Sequence, residues 1–235
     1  MVLSWPMPTG PPHHKHLSTP DWILTVLLVL LVFMVFVIYP MSQAGMLHVM
    51  SVDFVYSLIV VAGALSVVGK RWVTLLIVVF AVAAFVARWT HRAMPQANLD
   101  QVDLLLSLIF LGILTAIVMG EIFREGPISV HRVQGAVAVY LLLGLVWGCV
   151  YELVEMYRPE SFHSLSAPLA HGVPPPPDLV YFSFTTLTTV GYGDVLAVHP
   201  IARYLAMLEA LTGQLFPVIL IARLVAMELE SRRGR

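Results

Sequence analysis

Charge is scarce in this chain of 235 residues: Asp, Glu, Lys and Arg together supply 11% of it, while 59% is hydrophobic. A water-soluble domain carries about 25% charged residues. This chain cannot cover a globule with polar groups, so lipid must be its solvent. The formal net charge of −1 gives no indication of a nucleic acid or an acidic partner. The single cysteine, Cys149, excludes an intrachain disulfide and a cysteine metal site. Catalytic patterns are missing as well. The nine histidines are scattered, no nucleophile sits at a recognisable distance from a base, and no glycine loop suited to phosphate is present. An enzyme and an organic cofactor are therefore not expected.

What the chain has instead is long apolar runs. A bilayer core takes about 20 apolar residues per helix, and six stretches qualify: 21–39, 49–68, 72–90, 102–122, 134–156 and 200–227. Pro40, Gly69, Pro95 and Gly126-Pro127 punctuate the short connections. The first run is too long for a signal core and lacks a small-x-small cleavage site, so it reads as a retained helix. Residues 1–20, with five prolines and His13-His14-Lys15-His16, read as a disordered cytoplasmic tail rather than a metal site. Lys15, Lys70, Arg71, Arg124, Arg132, Arg232, Arg233 and Arg235 then fall on one side of the membrane, against Arg88, Arg92, Arg158 and Arg203 on the other. The positive-inside rule places both termini in the cytoplasm. Arg88 and Arg92 depart from that rule. They either snorkel to the headgroups or pair with Asp53, Asp100 or Asp103.

The insert 157–199 is not a full span, and it holds the string Thr185-Thr-Leu-Thr-Thr-Val-Gly-Tyr-Gly-Asp194. A dehydrated cation needs closely spaced oxygens in place of its water shell. Backbone carbonyls supply them when alternate residues take positive φ, which is cheap only for glycine. Gly191 and Gly193 stand at such alternate positions. Carbonyls of Thr189, Val190, Gly191 and Tyr192, with the Thr189 hydroxyl, would form stacked oxygen rings around such a cation. Upstream, Asp178 follows four prolines and suits the N-cap of a short helix over 178–188. The negative end of that helix would favour a cation.

On these residues the chain resembles the potassium channel family. Thr189-Val190-Gly191-Tyr192-Gly193-Asp194 is that family's filter signature, and 134–229 looks like its pore module of outer helix, pore helix, filter and inner helix. The resemblance implies an all-α membrane protein with six transmembrane helices, a re-entrant pore helix and a filter loop. One filter copy per chain implies a homotetrameric pore embedded in membrane lipid. The divisions are a tail (1–20), a four-helix sensor-like domain (21–122), a linker (123–133), the pore domain (134–229, with filter 189–194 and inner helix 200–229) and a short cytoplasmic end (230–235). No soluble regulatory domain is expected. Around the filter, Tyr181, Phe182 and Phe184 are read as an aromatic cuff. Thr185 stands where some relatives carry glutamate, and Tyr181 is the expected partner of Asp194.

The inner helix carries the gating candidates. Gly213 lies twenty residues after Gly193, the family's hinge spacing, and Pro217 follows one turn later, so a kink is expected between them. Gln214, Val218, Ile221, Ala222 and Val225 share the face that would line the cavity. Closure there by dewetting and gating at the filter both remain open. Glu209 is the anomaly, since an ion in lipid is costly. It should face protein near Thr185 or Thr186, either as a proton-sensitive brace or as a permanently neutral structural hydrogen bond.

The fourth span, Val102 to Gly120, has no Lys or Arg at all. Steep voltage gating needs several charges, each contributing about 2.3 kcal/mol per 100 mV, so weak or no voltage dependence is expected. Two competing readings are a transporter-type potassium translocator and a non-conducting or regulatory subunit that assembles with a conducting homologue. Compact loops and the lack of a eukaryotic targeting signal suggest a prokaryotic plasma membrane.

Overall fold

The computed structural model describes residues 21–47, 49–66, 78–80, 82–83, 85–86, 90, 100–123, 130–165 and 177–233. The architecture is helical almost throughout. α1 (Asp21–Phe33) passes through a π-helical turn (Met34–Ile38) into α2 (Tyr39–Gln43), followed by α3 (Val49–Ser66), α4 (Asp100–Ile122) and α5 (Val130–Tyr157). After β1 (Phe162–Ser164) come the short α6 (Leu179–Leu187), β2 (Val195–Ala197) and the long α7 (Pro200–Arg233). In a bilayer each backbone N–H and C=O must be satisfied within the protein, which is why apolar runs of this length become helices.

Among the described residues, four helices are long and apolar enough to cross a membrane: Leu24–Gln43, Asp100–Ile122, Arg132–Tyr157 and Pro200–Met227. A shorter apolar helix covers Val52–Gly63. The expected third span, 72–90, lies mostly outside the described residues, although 78–80, 82–83 and 85–86 are helical. The tail 1–20, Arg88 and Arg92 also lie outside them. Of the linker, Val130 onward is already helix.

Pro40 does not end the first span as expected. The helix runs on to Gln43 and stops at Gly45, whose φ of 69° suits a residue without Cβ. Proline has no N–H and crowds the preceding turn. Here the preceding turn is wider than α, with Tyr39 N–H reaching back five residues to the Met34 carbonyl. The all-α expectation holds for the architecture as a whole, with one addition: β1 and β2 pair antiparallel, with His163 opposite Leu196. Strands of three residues carry too little alternation to be read from sequence.

The main core is built by α1, α3, α4 and α5 through Leu27, Leu31, Ile59, Phe110, Leu114 and Leu142. α1 lies along α5, with Thr25 Oγ1 donating to Gln134 Oε1 at 2.9 Å. A second cluster of Tyr151, Phe162, Leu179, Phe182, Val195 and Ala202 sits beneath the strand pair. Tyr151, Phe162 and Phe182 meet edge to face there, with centroids 5.1 to 5.3 Å apart.

Candidate functional site: a short helix and the loop that follows it

The short helix α6 is fastened at its start, middle and end. Asp178 is its N-cap and accepts from Tyr181 N–H at 2.9 Å. Burial raises the pKa of the Asp178 carboxyl above the ordinary carboxylate range, and backbone N–H groups of Tyr181 and Val180 pull the other way. In the middle, Ser183 Oγ lies 2.7 Å from the Gly144 carbonyl and 2.5 Å from Glu209 Oε1. At the end, the Leu187 carbonyl accepts from Tyr140 Oη at 3.1 Å.

Glycines let α6 sink between the long helices. A Cβ on Gly144 would lie 2.6 Å from the Phe184 ring, and one on Gly148 would lie 3.1 Å from Val180 Cγ2. A Cβ on Gly213 of α7 would overlap the Leu187 carbonyl oxygen. Gly144 and Gly148 form a GxxxG pair, the spacing that permits close helix approach in membranes. The pair is visible in the sequence as two glycines four residues apart, a signal not used above.

The loop after α6 is held by its own backbone. Thr189 N–H donates to the Thr186 carbonyl at 2.9 Å and Gly191 N–H to the Thr185 carbonyl at 3.0 Å. Thr189, Gly191 and Gly193 have φ of 60°, 52° and 76°. Positive φ therefore recurs at every second residue. For the β-branched Thr189 it is uncommon and strained, and no local pattern in the chain signals it. Val190 and Tyr192 are exposed in the single chain, Tyr192 by 74%.

Asp194 closes the loop. Tyr181 Oη donates to its Oδ2 at 2.9 Å, Val195 N–H donates to its Oδ1 at 3.1 Å, and its carbonyl accepts from Leu165 N–H at 2.7 Å. Partial desolvation and the bond to Asp194 push the Tyr181 phenol up to about 12, so it remains a donor at physiological pH. Glu155, another residue the sequence did not single out, accepts from the N–H groups of Glu160, Ser161 and Phe162 at 2.9 to 3.2 Å. It anchors the segment leading into β1.

Several expected placements change. The aromatic cuff diverges: only Tyr181 reaches Asp194, while Phe182 packs on Tyr151 and Phe184 on Gly144. Glu209 bonds to Ser183 and Tyr151, not to Thr185 or Thr186, because it emerges level with the middle of α6 rather than its end. Thr185 Oγ1 instead returns to its own helix at Phe182. α7 stays helical through Gly213 and Pro217. Gly213 is buried against Leu187, so its missing Cβ serves contact as well as any bending. Gln214, Val218, Ile221, Ala222 and Val225 are all exposed in the single chain, while Pro217 is half-buried. His163 is exposed, and the His199 ring accepts from Ile201 N–H at the start of α7.

A short helix and strained loop packed between two long apolar helices form the part of the chain that is similar to a membrane channel. Residues 136–229 match the family model described as an ion channel. Protein LctB of Geobacillus stearothermophilus is 32% identical over 125 residues, covering 49% of this chain and 92% of the relative. Protein LctB of Bacillus caldotenax is 29% identical over 129 residues, with the same coverages. No solved structure matches the chain. The chain belongs to the ion channel family, and it is a membrane channel rather than an enzyme.

Proposed function

We propose that the chain is the subunit of a potassium-selective channel, four copies of which surround one filter formed by Thr189 to Gly193. The observation that carries this reading is the alternation of positive φ at Thr189, Gly191 and Gly193, in the string whose carbonyls are suited to replacing potassium's water shell. Two N–H groups of the loop are spent on α6, which leaves the carbonyls for a cation. Thr189, Val190, Gly191 and Tyr192 would hold K+. Four copies are required because one loop supplies only a quarter of each ring. The apolar face of α7, exposed at Val218, Ile221 and Val225, is a surface for the tetramer and its cavity. The Lys and Arg distribution favours cytoplasmic termini, and bacterial relatives favour a prokaryotic plasma membrane.

With no basic residue from Val102 to Gly120, the open probability should vary little with voltage. The deciding measurement is the reversal potential in mixed potassium and sodium, with a voltage protocol on the same purified protein in bilayers. A reversal potential that follows potassium and a shallow activation curve are expected. Equal sodium permeability would defeat the selectivity claim, and sensor-like steepness would defeat the voltage claim.

The Tyr181–Asp194 bond yields a second expectation. Tyr181→Phe removes one partly exposed, charge-assisted bond, about 1 kcal/mol or roughly a fivefold shift between conducting and collapsed filters. The current should decline faster during sustained opening. An unchanged decline would mean that the bond does not support the filter.

A further inference from the structure

Glu209 of α7, with no exposed surface, joins three helices. Its Oε2 lies 2.5 Å from Tyr151 Oη on α5, and its Oε1 lies 2.5 Å from Ser183 Oγ on α6. Ser183 Oγ is in turn 2.7 Å from the Gly144 carbonyl on α5. Tyr151 and Ser183 are also fully buried. The titratable groups facing the carboxyl are Tyr151 and, further off, Tyr140, both from α5; α6 presents only Ser183. Among the described residues no Lys, Arg or His offsets a charge there.

The protons can be counted. Three close oxygen–oxygen contacts each need one hydrogen. Tyr151 has one and Ser183 has one, whereas the Gly144 carbonyl and an ionised carboxylate have none. Two protons cannot serve three contacts. An ionised Glu209 would force Ser183 to abandon either Gly144 or Glu209 and would leave a buried charge without a counterion.

We infer that Glu209 is a neutral carboxyl group: Oε1–H donates to Ser183, Ser183 donates to the Gly144 carbonyl, and Tyr151 donates to Oε2. Every contact is then satisfied. The chain of bonds sets where α6 sits between α5 and α7, one turn before Leu187 and the start of the loop. Glu209 is thus a positioning residue that acts on the filter through Ser183. Of its two roles suggested by sequence, the geometry selects the permanently neutral bond over the proton sensor. The positioning role rests on the filter reading, while the protonation state does not.

Infrared difference spectra of the full chain in lipid, wild type against Glu209→Gln, test the protonation. A C=O band of a protonated carboxylic acid should be present in the wild type from about pH 5 to about pH 8 and lost in the variant. Absence of that band, or its disappearance within this range, overturns the inference. Liposome potassium flux tests the positioning. The Gln amide can donate to Ser183 and accept from Tyr151, so Glu209→Gln should keep flux within about twofold, while Glu209→Ala should lower it about tenfold. A Gln variant that misassembles, or that fails as Ala does, also overturns it. If the wild type shows the band but passes no potassium, the neutral carboxyl stands and the potassium reading falls.

Discussion

Gly213→Ala will destabilise the subunit by about 3 kcal/mol, at the upper end of what overpacking costs. The new methyl group would overlap the Leu187 carbonyl oxygen and sit 2.7 Å from its carbon and 3.1 Å from its Cα. These are backbone atoms of a helix end that Tyr140 also holds, so no side-chain rotation can relieve the clash. α6 and α7 would have to separate, and the loop beginning at Thr188 would move with them. A midpoint of denaturation in mild detergent measures the loss. The outcome separates two explanations of this glycine. If it served only as a hinge, alanine would strengthen the helix by about 1 kcal/mol and raise the midpoint. Gly112 is the matched control, since a Cβ there would meet nothing within 4 Å. Gly112→Ala should leave the midpoint unchanged or raised.

The second large effect concerns the other wall. Gly144→Ala places a methyl group 2.6 Å from Cε1 and Cζ of Phe184, at an expected cost of about 2 kcal/mol. The obstacle here is a side chain, so the cost is recoverable. Phe184→Leu withdraws the ring, and the double variant should be more stable than Gly144→Ala alone. Additive losses in this cycle would show that the pair is not in contact in the folded membrane protein. Carbonyl contact at Gly213 and ring contact at Gly144 thus give different signatures, one not rescued by a side-chain change and one rescued.

Much of this molecule is legible in one dimension because lipid imposes a single rule on every residue that crosses it. Apolar length alone marked α1, α4, α5 and α7, since unpaired backbone groups are intolerable in hydrocarbon. The motif at 185–194 pointed to a channel because chemistry, not packing, dictates its composition: closely spaced carbonyls need glycine at alternate positions. Asp178 as an N-cap could be read the same way, because capping is a contact within three residues.

The tertiary structure decided the features that depend on what lies opposite. Glu209 was recognisable as a carboxyl needing company, but its partners are 26 and 58 residues away, on helices whose relative height no local pattern encodes. Gly213 could be read as a hinge until Leu187 was seen against it. The Gly144–Gly148 pair states that something packs closely without saying what. The three-residue strands and the path of the first helix through Pro40 depend on pairing and on a widened turn, which sequence periodicity does not reveal. Sequence alone determined which long apolar segments become helices and which string is proposed to hold a cation. Packing decided what holds that string in position, because a close approach is a property of two surfaces and a sequence lists only one at a time.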